Sequence, residues 1–316
     1  MKLIFMGTPE FAVPSLKLLV EAGHDTVSVY TQPDKPKGRG HAMQFTPVKQ
    51  TALTHNIPVY QPVSISNKSG RDAEIQNQII DQKADCIVVV AYGKLLPKPI
   101  LDAARFGCVN VHSSLLPKFR GAAPIHWAVL NGENVTGVTT MQLDEGMDTG
   151  DILLQSETPI GENETAGELH DRLAQMGAEL IVETLEKLEK GEIIPVKQND
   201  TQASYTSMLA KDMSIINWNR PANEIHNQIR GLQPWPMAET TLNGKRMRVH
   251  ASRLVNMTLN FDSNMTPGTV LSVDPFAVAC GKGALEITQI QADGGKRMHP
   301  ADYFRGHPIN QGEILV

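Results

Sequence analysis

Cys86-Ile-Val-Val-Val-Ala91 is an unbroken apolar run. A strand with one wet face alternates polar and apolar side chains, so a strand without alternation is buried on both faces. A sheet built around it needs helices on both sides, and the flanking sequence supplies them. Strand patterns at 3–6, 26–31, 59–60 and 109–112 alternate with helical spacing at 11–22, 48–55, 73–82 and 123–131. Two more strands are expected over 137–143 and 152–157. A long helix should follow over 165–189, capped by Thr165 and stopped by Gly191. This alternation predicts an α/β fold, a Rossmann-like and mostly parallel sheet domain whose ligands gather at the carboxyl ends of the strands.

The texture changes after Gly191. Residues 192–207 are polar and read as a linker. Short strand patterns then follow at 239–242, 246–254, 268–273, 277–280 and 284–290, with a helix over 222–229. Asn243-Gly244 between two of the strands is a hairpin signal. Five short strands in so little chain fit a small barrel. The expected division is a catalytic domain over 1–191, a linker over 192–207 and a second, smaller domain over 208–316.

The strand at 109–112 opens into Asn110-Val-His-Ser-Ser-Leu-Leu-Pro-Lys-Phe-Arg-Gly121. Asn110 and His112 are two apart, so both leave the same face of a strand. Leu115, Leu116 and Pro117 should end the strand in a rigid apolar turn. Asp148, in a loop flanked by Gly146 and Gly150, can fold back over the strand end. Together they offer an oxyanion donor, a proton shuttle and a carboxylate to orient it. Alone, Asn-x-His at a strand end is more often a satisfied polar edge than a catalytic pair; the length of the string is what argues for chemistry.

Composition narrows the class. No Gly-x-Gly-x-x-Gly follows the first strand, which argues against NAD, and no Gly-x-x-x-x-Gly-Lys-Ser/Thr supports nucleotide hydrolysis. No run of about twenty apolar residues exists to span a membrane. Lys2-Leu-Ile-Phe-Met6 is too short, and too soon followed by Gly7 and Pro9, for a signal peptide. The three cysteines, Cys86, Cys108 and Cys280, are widely spaced; buried reduced thiols are expected in a cytoplasmic chain without disulfide or zinc. The net charge of -5 repels phosphate, so any RNA contact must be local. From Met208 onward there are eleven Lys/Arg against nine Asp/Glu, which shifts the basic balance toward the second domain.

The Asn110–Gly121 string, with Met147-Asp-Thr-Gly-Asp151 after it, resembles the signature of the folate-dependent formyltransferases. The opening Met1-Lys-Leu-Ile-Phe-Met-Gly-Thr-Pro-Glu-Phe-Ala-Val-Pro14, Tyr30-Thr-Gln-Pro-Asp34, Gly38-Arg39-Gly40, Val88-Val-Val-Ala-Tyr-Gly93, Gly121-Ala-Ala-Pro-Ile125 and Trp235-Pro236 extend the resemblance over essentially the whole chain. It implies transfer of the formyl group of 10-formyltetrahydrofolate to the amino group of methionyl-tRNA(fMet), for translation initiation. The implied roles are Asn110, protonated His112 and Asp148 in catalysis, without metal. The folate ring is implied to lie in an apolar slot between 88–96 and 114–117, formed by Val90, Tyr92, Leu96, Ser114, Leu115, Leu116 and Pro117. The second domain is implied to be an OB-like, tRNA-binding β-barrel, and the protein a monomer.

The loop over 32–47 carries Lys35, Lys37, Arg39 and His41 among glycines, and a cationic loop beside a cleft can clamp a phosphate backbone. Such mixtures are often only solvent loops. The resemblance implies that Lys37 and Arg39 meet the tRNA acceptor stem. One departure stands out: Met208 occupies the place where a lysine is expected, two before a second one, while Lys211 remains. Three alternatives differ in kind: a formyltransferase acting on a purine precursor or an amino sugar, a formyl-folate hydrolase, and a non-catalytic RNA-binding module. The basic loop counts against the first two, and the Asn-His-Asp set against the third.

Overall fold

The computed structural model describes residues 1–37, 42–66, 70–255 and 265–316. Its contacts form two units. One comprises Met1–Gly121, Thr136–Thr158 and His170–Tyr205; the other comprises Ala122–Val135, Pro159–Leu169 and Thr206–Val316.

The first unit is built on β1 (Lys2–Gly7), α1 (Val13–Glu21), β2 (Asp25–Tyr30), β3 (Lys35–Lys37), β4 (Ala42–Gln44), α2 (Pro47–Thr54) and β5 (Val59–Tyr60). It continues through α3 (Gly70–Asp81), β6 (Cys86–Val90), α4 (Lys98–Leu101), β7 (Cys108–His112) and the short β8 (Arg120–Gly121). Beyond α5 (Pro124–Leu130) come β9 (Val135–Gln142), β10 (Ile152–Pro159) and α6 (Ala166–Lys190). The sheet order is β10-β9-β7-β6-β1-β2-β5. β5, β2, β1, β6 and β7 run parallel, and β9 is antiparallel to β7. Every residue of β6 and β7 is buried, as the unbroken apolar run requires.

The chain moves outward from β1 through β2 to β5, then crosses to β6 and β7 on the other side. The strand order therefore reverses between β1 and β6, where such sheets open a ligand crevice. Gly7 ends β1 there. A β-carbon on it would lie 2.8 Å from Phe5 Cε1 and 3.0 Å from the Val90 carbonyl oxygen, so only glycine lets the two strand ends approach. Gln32 Nε2 donates to the Tyr92 carbonyl at 3.0 Å and ties the end of β2 to the turn after β6.

Helix ends follow local chemistry. Thr46 Oγ1 accepts from Lys49 N at 3.1 Å at the start of α2. Before α6, Thr165 Oγ1 accepts from Glu168 N at 3.2 Å while Glu168 Oε2 accepts from Thr165 N at 2.9 Å, a reciprocal cap. Gly177 of α6 lies so close to β7 that a β-carbon would stand 2.8 Å from Val111 Cγ1. α4 begins within Pro97-Lys-Pro99, since proline is tolerated in a first helical turn.

In the second unit, after β11 (Tyr205–Thr206) and α7 (Ala222–Gly231), β12 (Ala238–Leu242), β13 (Lys245–Leu254), β14 (Val270–Val273), β15 (Phe276–Ala279) and β16 (Ala284–Ala292) form an antiparallel sheet, ordered β12-β13-β16-β15-β14, before α8 (Pro300–Phe304). Asn243 and Gly244 both have positive φ, 49° and 73°, as a two-residue hairpin turn demands. The last residues join the two sheet edges. Val316 exchanges backbone bonds with Thr241, at 2.6 and 2.9 Å, while Leu315 N donates to Gly268 O at 2.9 Å and Val270 N to Glu313 O at 2.8 Å. The core beneath holds Trp218, Ile225, Ile229, Met247, Val249, Phe276, Ile287 and Leu315.

Cys86, Cys108 and Cys280 are free and buried. Burial pushes the Cys108 and Cys280 thiols up to about 12, and that of Cys86 higher than its ordinary value as well. Among the described residues no helix is long and apolar enough to cross a membrane. Nor do any three His, Cys, Asp or Glu side chains there group to hold a metal ion.

Leu315 anchors the closing tail with a side chain only 1% exposed. Leu315→Ala should destabilise the second unit by about 2–4 kcal/mol. Denaturant titration against the parent protein checks this, and an unchanged midpoint would mean that the tail lies on the sheet without holding it.

Candidate active site

β7 is fully buried, yet two of its five residues, Asn110 and His112, are polar. A buried polar group needs a partner or a task. His112 has partners on both ring nitrogens. Nε2 lies 2.9 Å from the Phe119 carbonyl. A carbonyl only accepts, so Nε2 carries the hydrogen. Nδ1 faces Asp148 Oδ2 at 3.7 Å, too long for a direct bond and short enough for an ion pair or one bridging water. Asn110, only 8% exposed, has no hydrogen-bond partner for its carboxamide among the described residues.

Asp148 reaches this strand end through an unusual backbone. Its φ is +54°, and Phe119 on the other side of the imidazole has φ +60°. Each left-handed non-glycine residue costs roughly 1–2 kcal/mol. Asp148 Oδ2 also accepts from Gly121 N at 2.7 Å, which holds the carboxylate against the chain that carries Phe119. Gly150 completes the loop: a β-carbon there would lie 1.8 Å from the Gln142 carbonyl oxygen. Asp144 braces the loop base, accepting from Thr149 Oγ1 at 2.8 Å and Gly146 N at 3.0 Å.

A cavity of about 820 Å³ adjoins this loop. Leu101, Ala104, Phe106 and Leu143 give it apolar walls, and Asp144, Glu145 and Gly146 form its rim, two residues short of Asp148. Its volume lies in the range of small-molecule sites, roughly 300–1,000 Å³. None of the expected folate-slot residues lines it. Val90, Tyr92 and Leu96 are buried, Tyr92 and Leu96 in the core cluster with Ile4 and Ile100, and the Tyr92 hydroxyl has no partner. The turn Ser114, Leu115, Leu116, Pro117 packs on β9 and β10. Leu116 N donates to Thr139 Oγ1 at 3.2 Å, Gln155 Nε2 donates to the Leu116 carbonyl at 2.9 Å, and Leu115 Cδ2 fills the space that a side chain at Gly137 would need. Ser114 Oγ donates to the Lys118 carbonyl at 2.7 Å.

The structure thus brings Asn110, His112 and Asp148 to one strand end. With the Nε2 hydrogen of His112 directed at Phe119, Nδ1 is the ring nitrogen that faces Asp148. Arg39, with Gly38, Gly40 and His41, lies outside the described residues; Lys37 ends β3, which pairs antiparallel with β4. Met208 is 79% exposed. Part of the cationic surplus of the second unit is engaged internally: Arg246 bonds Asp293 at 3.1 Å, and buried Arg230 donates to the Gly161 and Glu164 carbonyls.

Sequence reasoning missed Arg120, Gln198 and Ser204. Arg120 stands in the quoted string, and its guanidinium is 1% exposed, bonded to Gln198 Oε1, Asp200 Oδ1 and Tyr205 Oη at 3.0, 2.8 and 3.0 Å. Gln198 and Ser204 lie in the polar stretch read as a linker, where composition alone carries no sign of contact.

The formyl transferase family profile matches residues 1–185, and the profile of the formyl transferase C-terminal domain matches 208–308. The chain is 49% identical to the methionyl-tRNA formyltransferase of Alkaliphilus oremlandii, covering all of this chain and 99% of that one. It is 48% identical to the enzyme of that name from Caldanaerobacter subterraneus over the full length of both. Among solved structures, an N-formyltransferase from Helicobacter canadensis, in complex with folinic acid and dTDP-3-aminofucose, matches with a TM-score of 0.68 at 22% identity, covering 94% of this chain and all of that one; this shows a common fold. The chain belongs to the methionyl-tRNA formyltransferase family of the formyl transferases.

Proposed function

We propose that the protein transfers the formyl group of 10-formyltetrahydrofolate to the α-amine of methionyl-tRNA(fMet). The observation that supports the chemistry is the Asn110 carboxamide, which makes no hydrogen bond within the described residues, two residues from the histidine of a histidine–carboxylate pair on the same strand. The amine nitrogen attacks the formyl carbon, the carbonyl oxygen becomes an oxyanion, and the bond from carbon to folate N10 then breaks. Asn110 donates a side-chain N–H to the oxyanion. His112, fixed through Nε2 by Phe119, gains and loses a proton at Nδ1. Asp148 holds that nitrogen and passes the proton from the attacking amine toward N10 through water. The residues require neither a metal nor a covalent intermediate.

The folate ring takes the cavity beneath the 143–146 loop, whose apolar walls suit a flat heterocycle and whose rim carries acceptors for ring N–H groups. We assign catalysis to residues 1–191 and tRNA binding to 208–316, with Lys37 and Arg39 as phosphate contacts. A net charge of -5 leaves RNA affinity to such local cations. Both substrates place the reaction in the cytoplasm. An assay with 10-formyltetrahydrofolate and charged initiator tRNA, reading formyl-methionine, tests the proposal; formylation of an amino sugar or a purine precursor instead would replace it.

Asn110→Ala, His112→Ala and Asp148→Ala should each lower kcat by at least about 100-fold in a folded protein, as loss of a transition-state interaction does. Near-normal turnover in any one of them removes that residue from the mechanism.

Filling the cavity with Ala104→Trp should raise the folate KM by about 10-fold or more and leave tRNA binding unchanged. Leu116→Trp serves as the comparison. If folate binding weakens only in the Leu116 variant, the ring lies at the turn and not in the cavity.

Arg39→Ala should weaken charged-tRNA binding, spare folate binding and reduce the salt dependence of tRNA affinity by about one counterion. Kinetics on tRNA and on a short methionyl ester discriminate the roles: an equal defect with both makes the loop a lid, while an RNA-specific defect makes it a clamp.

A further inference from the structure

Residues 196–205 run along the candidate site, and their polar side chains bond to it. Gln198 Nε2 donates to the carbonyls of Asp148 at 2.9 Å and Gly150 at 2.7 Å. Its Oε1 accepts from Arg120 Nε at 3.0 Å. Arginine has only donors, so this contact fixes which way the Gln198 amide faces and leaves its N–H groups for the loop. Arg120 is anchored in turn by Asp200 and Tyr205. Further along, Ser204 Oγ accepts from Phe119 N at 2.8 Å, and the Ser204 carbonyl accepts from Arg120 N at 2.8 Å.

The backbones gripped in this way are those of Asp148 and Phe119, the two residues that touch His112. Both sit in left-handed conformations that a free loop would leave. Gln198 therefore acts on the Nδ1 side of the imidazole and Ser204 on the Nε2 side, and neither touches the ring itself.

We infer that Gln198–Ser204 is a positioning strap that sets the orientation of His112 by fixing Asp148 and the Phe119 carbonyl. The inference rests on His112 acting in the proposed reaction. Displacing a reacting group by about 1 Å costs on the order of 100-fold in rate, so the strap belongs to turnover more than to substrate binding.

Gln198→Glu tests it. The carboxylate keeps an acceptor for Arg120 and removes both donors to the loop. Expected are a kcat lowered by about 10- to 100-fold and KM values for both substrates within about twofold of the parent. Exchange of the Gly121 amide, which is bonded to Asp148 Oδ2, should accelerate by about tenfold while the amides of β6 keep their protection. Ser204→Ala should do the same to the Phe119 amide. Unchanged Gly121 exchange overturns the inference, as does a kcat loss accompanied by exposure of the β6 amides, which would mean general destabilisation. If the parent protein transfers no formyl group, the functional reading falls, and amide exchange alone still decides whether the strap holds Asp148.

Discussion

The bond from His112 Nε2 to the Phe119 carbonyl is the constraint on which the site depends. It fixes the ring tautomer, and so decides which nitrogen can move a proton and which carboxylate must stand beside it. Phe119 presents its carbonyl from a left-handed backbone, which needs support from elsewhere. That support comes from residues more than eighty positions further along the chain. The active strand is therefore rigid because of its position in the middle of the sheet, while the groups that tune it stand on loops held by cross-links.

The same division of labour explains the two buried polar groups of β7. His112 is bonded at Nε2 and faces a carboxylate at Nδ1, as buried polar groups are usually placed. Asn110 is 8% exposed and is not among the enclosed polar atoms left without a partner, so its carboxamide is free to bond a molecule that enters the site. The proposed reaction would use that capacity, since a formyl oxygen gains charge only during the transfer.

Much of this was legible in the residues. The unbroken run at 86–91 yields the parallel strand Cys86–Val90, Asn243-Gly244 is a hairpin turn, and Thr165 caps the helix over Ala166–Lys190. These features are local: periodicity, turn chemistry and capping each act within a few residues. What escaped is long-range. Nothing near Gln198 says that its amide will meet the carbonyls of Asp148 and Gly150. Polar composition reads as solvent exposure whether the polar groups face water or other chain segments. The turn Leu115-Leu116-Pro117 shows the same limit: its apolar residues announce a rigid strand end, while the bonds of Leu116 to Thr139 on β9 and Gln155 on β10 lie beyond local pattern.

The three buried cysteines have a practical consequence. A thiol reacts with maleimides and disulfides only as the thiolate, and only where the reagent can reach it. With Cys86, Cys108 and Cys280 sealed in and their ionisation displaced well above neutrality, the folded protein behaves toward such reagents as though it had no cysteine. A single cysteine placed at an exposed position, for instance Met208, would then be the one labelled site on an otherwise natural sequence. A fluorophore or spin label there would report on the approach of a large substrate, with no native thiol first having to be replaced.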